Sequence, residues 1–279
     1  MFLEKGLIQE IVCKALNEDA WTGDITSEIL LEPGKEAKAL VVIKEEGIIA
    51  GLKVAEEVFK QLNKNIILKP LVNDGERVKK DTVILEIEGS AIDILKGERC
   101  ALNFLQRLSG ISTMTRRYVE KVKGLSVRIA DTRKTTPGLR FLEKYAVRIG
   151  GGYNHRMGLY DAVLIKDNHL AVFGSISRAI EKVRENLPHM MKIEVEVEKM
   201  DGVREALEAG ADIIMLDNME IEEMREAVRL VDKRAIVEAS GRINLDNIYS
   251  IALTGVDVIS VGALTHHIKA LDISLNIKT

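Results

Sequence analysis

The sequence predicts an α/β fold, in which a small N-terminal α+β domain is followed by a β/α barrel. From about residue 126, short apolar runs alternate with amphipathic segments, which is typical of a parallel sheet covered by helices. Most of these runs end in a polar cluster, as the strands of a barrel do at the face that carries the active site. The first hundred residues lack this alternation, and we expect them to form an antiparallel domain.

In the N-terminal domain the pattern predicts a helix, two strands and a turn. Apolar residues recur at helical spacing over 7–15. The runs AKALVVIK (37–44) and TVILEIEG (82–89) are strand-like, and the second alternates apolar with acidic residues, as a half-buried strand does. NDGER (73–77) predicts a turn before the second strand. A helix over 97–123 is expected to lead into the second domain.

Six strands are expected in the second domain, with helices such as 202–210 and 221–231 between them. The strands are VRIA (127–130), DAVLI (161–165), IEVEV (193–197), DIIML (212–216), AIVEA (235–239) and VDVIS (256–260). The polar clusters after them are DTRK, KDNH, LDNM, ASGR and VGALTHH. An open doubly wound sheet is the alternative that this pattern leaves open.

The composition excludes several classes of protein. Hydrophobic residues make up 46% and charged residues 30% of the chain, which is typical of a soluble globular protein. No signal-peptide core and no run of about 18 uncharged apolar residues occurs, so we expect a cytoplasmic protein without a membrane span. Two cysteines are too few for a disulfide framework or a cysteine zinc site. A pI of about 6.1 argues against nucleic acid as the partner.

Cations gather between Arg128 and His169, although the whole chain has a net charge of −3. This segment contains eight Lys and Arg against four Asp and Glu. The candidate binding residues in it are Arg133, Lys134, His155, Arg156 and Lys166. Because arginine binds planar carboxylates through two parallel hydrogen bonds, an anionic small molecule is expected here. The alternative is that these cations pair with carboxylates of the protein surface.

Acidic residues alternate along one predicted strand. Glu194, Glu196 and Glu198 share a face of IEVEVEK, and Asp217 ends the next strand. A parallel strand is normally apolar on both faces, so acids there need a metal, a cation or a hydrogen-bonding ligand. They could hold Mg²⁺ or accept hydrogen bonds from sugar hydroxyls. A solvated edge strand is the alternative interpretation.

Two glycine turns follow the last two strands. Ser240–Gly241 and Gly262–Ala263 each lie between a strand and the next element. Glycine permits close approach of the backbone, and barrels often bind phosphate at their last strands. The site is therefore expected to hold a molecule that carries carboxylate, phosphate and hydroxyl groups.

Six longer motifs extend these patterns: ERCALNFLQRLSGIST, DTRKTTPGLRFLEKYAVRIGGGYNHRMGLYDAVLIKDNH, IEVEVE, ADIIMLDN, EASGRINLDN and ISVGALTH. They resemble the nicotinate-nucleotide pyrophosphorylase family, also called quinolinate phosphoribosyltransferases, and the resemblance covers nearly the whole chain. It implies an N-terminal α/β sandwich domain (1–105, joined by the C-terminal tail 267–279) and an incomplete, roughly six-stranded β/α barrel (106–266).

The resemblance also implies a reaction of NAD biosynthesis. A pentosyltransferase of this family converts quinolinate and phosphoribosyl pyrophosphate, with Mg²⁺, into nicotinate mononucleotide, pyrophosphate and CO₂. Quinolinate and the pyrophosphate end of the donor would be bound by Arg133, Lys134, His155, Arg156 and Lys166. Glu196 and Asp217 would hold the ribose hydroxyls and Mg²⁺, with the metal bound mainly through the substrate. The 5′-phosphate would be held by Ser240, Gly241, Gly262 and His266.

The resemblance implies a homodimer as the catalytic unit. Arg99, in GERCALN, would reach into the site of the neighbouring subunit. Of the implied residues, Lys134, Lys166, Glu196 and Asp217 would take part most directly in catalysis.

Two other functions are compatible with parts of the pattern. Lys166 at a strand end could form a Schiff base in a barrel aldolase or isomerase. The basic segment could bind RNA or another protein without catalysis, although 4% aromatic residues provide few stacking platforms.

Overall fold

Two units of structure divide the chain. The structure, a computed structural model, describes residues 4–278. One unit comprises Met1–Arg116, Thr136–Gly151 and His267–Thr279, and the other comprises Arg117–Thr135 and Gly152–His266. The domain boundaries 1–105 and 106–266 stay a prediction, and the terminal residues 1–3 and 279 lie outside the described residues.

The structure contains twelve strands and eleven helices within the described residues. The strands are β1 (Glu36–Ile43), β2 (Gly47–Ile48), β3 (Ile67–Pro70), β4 (Arg77–Val78), β5 (Val83–Ser90), β6 (Arg128–Ala130), β7 (Val163–Ile165), β8 (Ile193–Val197), β9 (Ile213–Asp217), β10 (Ile236–Ser240), β11 (Val258–Ser260) and β12 (Ile273–Lys278). The helices are α1 (Lys5–Ala20), α2 (Ile25–Leu30), α3 (Leu52–Leu62), α4 (Ala91–Lys121), α5 (Arg140–Ile149), α6 (Asp167–Phe173), α7 (Ile176–Asn186), α8 (Met200–Glu208), α9 (Ile221–Val231), α10 (Ile248–Ala252) and α11 (Ala263–His266).

The first unit is built on an antiparallel sheet with the strand order β12-β1-β5-β3. The two strands predicted in this region are confirmed. On β1 every second residue is buried, namely Ala39, Val41 and Ile43, because alternate side chains point to one face. The tail strand β12 extends the sheet, with Ile273 opposite Ile43. The C-terminal tail is therefore part of the first unit.

Polar side chains of α4 fix the loop that contains β2. Thr113 Oγ1 accepts the amide N–H of Ile48 at 2.8 Å, and the Ser112 hydroxyl donates to the carbonyl of Ile48 at 2.7 Å. These contacts satisfy main-chain groups that would otherwise be buried without partners. The helix predicted over 97–123 is confirmed, and it begins earlier, at Ala91.

A buried ion pair lies between α4 and α5 in the first unit. Glu143 is fully buried, and its Oε1 accepts from Arg107 Nε at 2.8 Å and Nη2 at 2.6 Å. Its other oxygen accepts the amide N–H of Thr136 at 3.2 Å. The carboxylate is tolerated in the interior because these hydrogen bonds replace its hydration.

The second unit is a six-stranded parallel sheet with the order β6-β11-β10-β9-β8-β7. All six predicted strands are confirmed. From β7 to β11 neighbours in the sheet are also neighbours in the chain, and the first strand, β6, pairs with the last, β11. This order belongs to a barrel with one gap, between β6 and β7, and excludes a doubly wound sheet. Tyr153 bonds to the main chain beside β6, at the edge of that gap.

The strands of the partial barrel direct different residues to its two faces. On β8, Ile193, Val195 and Val197 share one face, and Glu194 and Glu196 share the other. Helices such as α7 and α8 contact β8, so the apolar face is covered by helices. The acidic residues therefore face the barrel interior. In the described part of the chain, no helix is both long and apolar enough to cross a membrane.

Candidate active site

The candidate site lies in the second unit, at the carboxyl ends of the parallel strands, where barrels assemble their active sites. The polar residues at or near these ends are Asp131, Arg133 and Lys134 (after β6), Lys166 (after β7), Glu194 and Glu196 (β8), Asp217 (β9), Glu238 and Ser240 (β10), and Ser260 and Gly262 (at and after β11). His155 and Arg156 lie in the loop between β6 and β7.

Lys166 and Glu196 form an ion pair between two neighbouring strands. Lys166 Nζ donates to Glu196 Oε2 at 2.7 Å. The amide N–H of Lys166 donates to the ring of His169 at 2.9 Å, at the start of α6, which fixes the main chain at the end of β7. Lys166 Nζ is thus held against the Glu196 carboxylate, whereas a Schiff base requires an amine that is available to attack a carbonyl group. This contact argues against the aldolase alternative.

Arg156 and Arg133 place two guanidinium groups near each other. Burial lowers the pKa of Arg156, and the charge of Arg133 lowers it further, against the opposing effect of Glu194. Arg156 Nη1 donates to the carbonyl of Ala162 at 3.0 Å, and its buried Nε has no hydrogen-bond partner within the described residues. Two partly desolvated cations that lie near each other are stabilised when an anion binds beside them.

His155 is held on three sides. Its amide N–H donates to the fully buried Asp131 at 2.9 Å, and its ring Nδ1 accepts the amide N–H of Arg156 at 2.8 Å. Ring Nε2 lies 3.0 Å from Glu194 Oε2 and 3.7 Å from Glu238 Oε1. The loop after β6 is therefore tied to β8 through one imidazole, and Glu238 of β10 lies near the same ring.

Glu238 is a site residue that the sequence analysis missed. It is 4% exposed, and burial together with the nearby charge of Glu194 raises its pKa to about 7. The sequence contained a signal for it, because an acidic residue inside a parallel strand is unusual, and Glu238 lies inside a predicted strand. The same reasoning identified Glu194 and Glu196. An acid that stands alone in AIVEA is less conspicuous than three in IEVEVEK.

The two glycine turns come close to other parts of the site. Gly241 has φ of +88°, and a side chain at this position would collide with the amide group of Asn218. A Cβ at Gly262 would lie 2.8 Å from the His266 ring and 3.2 Å from Lys134 Cδ. Both turns therefore require glycine, because the protein's own side chains approach the backbone there: Asn218 at the first turn, and Lys134 and His266 at the second.

Asp217 and Glu196 are two carboxylates on adjacent strands. Asp217 is the last residue of β9, lies opposite Ser240 in the register, and accepts from the side chain of Asn218 at 2.7 Å. Two carboxylates with room for ligand oxygens suit Mg²⁺, which usually keeps most of its other ligands as water or substrate oxygens. The donors therefore fit a metal that is held mainly through a substrate.

Comparison with known proteins identifies the family. A family model described as the quinolinate phosphoribosyl transferase C-terminal domain matches residues 111–276, and the model of the N-terminal domain matches residues 24–109. The chain belongs to this family. The names nicotinate-nucleotide pyrophosphorylase and quinolinate phosphoribosyltransferase, which the motifs suggested, are those carried by its relatives.

Relatives in the quinolinate phosphoribosyltransferase family match nearly all of the chain. A probable carboxylating nicotinate-nucleotide pyrophosphorylase of Bacillus subtilis is 48% identical over 93% of this chain and 90% of its own. One of Methanocaldococcus jannaschii is 47% identical over 96% of both chains. The structure of the Francisella tularensis enzyme superposes with a TM-score of 0.95 at 42% identity, covering 99% of this chain and 98% of that one. The predicted fold, an N-terminal α/β domain with a partial barrel, is confirmed.

The structure brings together all but one of the residues that the family resemblance implied. Arg133, Lys134, His155, Arg156, Lys166, Glu196, Asp217, Ser240, Gly241, Gly262 and His266 lie in the second unit at the strand ends. Arg99 lies in the first unit, on an exposed part of α4. The roles of these residues remain predictions, and they are argued below.

Proposed function

We propose that this chain transfers a phosphoribosyl group from phosphoribosyl pyrophosphate to quinolinate and releases CO₂, giving nicotinate mononucleotide and pyrophosphate. Its relatives carry the names of this activity. The observation that supports this function at this site is the pair Arg133 and Arg156. Burial lowers the pKa of Arg156, and the charge of Arg133 lowers it further. A dianion such as a pyridine dicarboxylate offsets both the cost of burial and the repulsion between the two cations.

Quinolinate is bound by the cations that follow β6 and β7. Arg133 and Arg156 bind a carboxylate each or share one, and Lys134 extends the cationic surface toward the glycine turn at Gly262. Nicotinate has one carboxylate, so it offers these cations half as many anionic groups as quinolinate does. The cations therefore favour the dicarboxylate.

The acidic side of the site faces the ribose. Glu196 and Asp217 accept hydrogen bonds from the ribose hydroxyls and provide carboxylate oxygens for Mg²⁺. When bound, Mg²⁺ neutralises charge on the pyrophosphate. Lys166, already placed 2.7 Å from Glu196, adds a positive charge at the same place. These carboxylates also stabilise the positive charge that develops on the ribose in the transition state.

The 5′-phosphate is bound at the turns after β10 and β11. Ser240 and Gly241 form one turn and Gly262 forms the other, with His266 beside it. Backbone amides at glycine turns that follow parallel strands are typical binding groups for a phosphate dianion. The phosphate thereby fixes the position of the ribose between the cationic and the acidic residues.

The reaction needs no covalent intermediate with the protein. The pyridine nitrogen attacks the anomeric carbon while the bond from that carbon to pyrophosphate breaks, and the residues above supply position and charge. The new pyridinium then accepts electron density as the bond to the 2-carboxylate breaks. CO₂ leaves, and the ring carbon takes up a proton.

A homodimer that shares Arg99 between subunits is part of the proposal. Arg99 is exposed on α4 and has no hydrogen-bond or ion-pair partner among residues 4–278, which suits a side chain that serves a second subunit. Exposed apolar residues occur in the same unit. They are Trp21, directly after α1, and Ile25, Ile29 and Leu30 of α2. Such a concentration is typical of a surface that another chain covers.

The test of the function is a product assay. The purified protein, supplied with quinolinate, phosphoribosyl pyrophosphate and Mg²⁺, is expected to release CO₂ and nicotinate mononucleotide in equal amounts. Nicotinate in place of quinolinate is the matched substrate control and should give little product. Absence of CO₂ release from quinolinate would overturn the proposal.

A further inference from the structure

The buried carboxylates Glu194 and Glu238 have no part in the function described so far. Both face the barrel interior, each is 4% exposed, and one oxygen of each, Oε1, has no hydrogen-bond partner within the described residues. Two buried acids this close are costly unless something compensates them. The group between them is the imidazole of His155, with Nε2 at 3.0 Å from Glu194 and 3.7 Å from Glu238.

Three species could compensate these acids: a metal ion, an imidazolium cation or a neutral imidazole. His155, Glu194 and Glu238 place one ligand atom each within 4.8 Å of one another, a spacing that would suit a metal. A histidine that binds a metal through Nε2 carries its proton on Nδ1 and donates it to an acceptor. Here Nδ1 accepts the amide N–H of Arg156 at 2.8 Å. A nitrogen that accepts a hydrogen bond has no proton, so the geometry excludes the metal.

The same hydrogen bond decides between the two remaining forms. In an imidazolium both ring nitrogens are donors, and Nδ1 could not accept from Arg156. The single ring proton must therefore be on Nε2, where Glu194 Oε2 accepts it at 3.0 Å. His155 is neutral in this arrangement and offers no positive charge to an anionic substrate.

We propose that His155 is a positioning residue, which, as the neutral Nε2–H tautomer, ties Glu194 of β8 to the loop that carries Arg156. The inference rests on the proposed function, because it concerns how that loop presents Arg156 to quinolinate. Asp131 completes the support by accepting the amide N–H of His155 at 2.9 Å and the side-chain amide of Asn154 at 2.6 Å.

Glu238 contributes as a neutral acid. Burial and the charge of Glu194 raise its pKa to about 7, so near neutral pH much of it keeps its proton. Glu194 then remains the acceptor for His155, and the barrel interior avoids two adjacent negative charges. Glutamine has nearly the same shape and no charge, and it should replace Glu238 in this role.

The direct test is the protonation state of His155. The chain has five histidines, so ¹⁵N-histidine labelling gives few signals, and His155→Asn identifies the one that disappears. At pH 7 we expect a protonated Nε2 and an unprotonated Nδ1, with no change when quinolinate is added. Protonation of both nitrogens, or of Nδ1 alone, would overturn the proposal, as would a stoichiometric metal ion in the purified protein that Glu238→Ala loses.

The kinetic test separates positioning from general damage. Glu194→Ala removes the acceptor of the Nε2 proton, and it should raise the KM for quinolinate by about tenfold or more, with kcat and the KM for the phosphoribosyl donor changed less than about threefold. Glu194→Gln keeps an oxygen that can accept from Nε2, and it should restore the KM for quinolinate to within about threefold of the wild-type value. Glu226→Ala, on the exposed face of α9, is the matched control.

Two kinetic results would contradict the proposal. One is an unchanged KM for quinolinate in Glu194→Ala, and the other is a Glu194→Gln variant as impaired as Glu194→Ala. If the wild-type protein fails to turn over quinolinate, the proposed function fails. The labelling experiment on the ligand-free protein then still decides the state of His155.

Discussion

Arg133 follows β6, and its positive charge adds to the effect of burial in lowering the pKa of Arg156. The two guanidinium groups differ in their surroundings, although the sequence shows only two arginines in polar loops. Arg156 also donates to the carbonyl of Ala162, which fixes its direction. Arg133 is therefore the better residue for testing whether an anionic ring binds between them.

We expect Arg133→Ala to weaken quinolinate binding by about 2–5 kcal/mol, because truncating one partner of a desolvated charge pair leaves the other uncompensated. Steady-state kinetics should show the loss mainly in the KM for quinolinate. The matched control is Arg128→Ala, since Arg128 is exposed at the opposite end of the same strand and lies over the ring of Tyr153. An unchanged KM in Arg133→Ala would remove Arg133 from the pocket.

Glu238 links protonation to stability. Its pKa is raised from 4.5 to about 7 in the folded chain, chiefly by burial and then by Glu194. Between these pH values the folded state holds a proton that the unfolded state has lost, so stability falls as the pH rises from about 4.5 to about 7. The effect amounts to about 3 kcal/mol.

Glu238→Gln should abolish this fall, because an amide does not titrate. Urea unfolding at several pH values between about 4.5 and 8 measures it, and Glu226→Gln is the control with an exposed carboxylate. If wild-type and Glu238→Gln proteins show the same pH dependence, the raised pKa is wrong.

At the scale of elements, a buried ion pair joins α4 and α5. Arg107 donates to the buried Glu143 and to the hydroxyl of Thr136, the latter at 2.6 Å. Removing Arg107 leaves the charge of Glu143 in the interior without its cation. This lowers the free energy of unfolding more than breaking an ion pair on the surface does.

Arg107→Leu should lower the free energy of unfolding by about 3 kcal/mol, and adding Glu143→Gln should recover part of the loss, because the buried charge is then removed. Urea unfolding of the two variants measures this. Arg225→Leu, which breaks a surface pair with Glu222, should change stability by less than about 0.5 kcal/mol. A similar small change for Arg107→Leu would show that the pair contributes little.

Two strands of the first unit, the six strands of the second unit and helices such as α4 and α9 could be predicted from the sequence, because each has a local signal. The alternation on β1 and the apolar runs of the second unit reflect burial of one or both faces, which the residue types record. The position of α5 had no such signal. Its apolar residues Leu142, Ala146 and Val147 indicate a buried face but not which unit buries it, and the structure places α5 in the first unit.

The site was predictable only in part, for a related reason. Lys166 and Glu196 each follow or end a strand, so the rule for barrel active sites located both. The tautomer of His155 depends on three separate segments that meet at one ring: the loop itself, β8 and β10. No spacing in the sequence records such a meeting.

At the scale of the whole molecule, the proposed function requires more than one chain. The described site residues of the second unit supply cations, acids and glycine turns, whereas Arg99 lies exposed in the first unit. In a closed two-fold dimer, each subunit can donate such a residue to the other and receive the same residue in return. Two different inactive subunits can then complement each other.

Mixing subunits tests this directly. Arg99→Ala and Lys134→Ala should each be nearly inactive alone, and dimers formed by refolding them together should recover about a quarter of the wild-type activity. Half of the dimers are then hybrids, and each hybrid has one complete site, built from Lys134 of one subunit and Arg99 of the other. Arg133→Ala mixed with Lys134→Ala is the control, because both residues belong to the same site and no hybrid restores it. Equal activity in the two mixtures would show that Arg99 acts within its own chain.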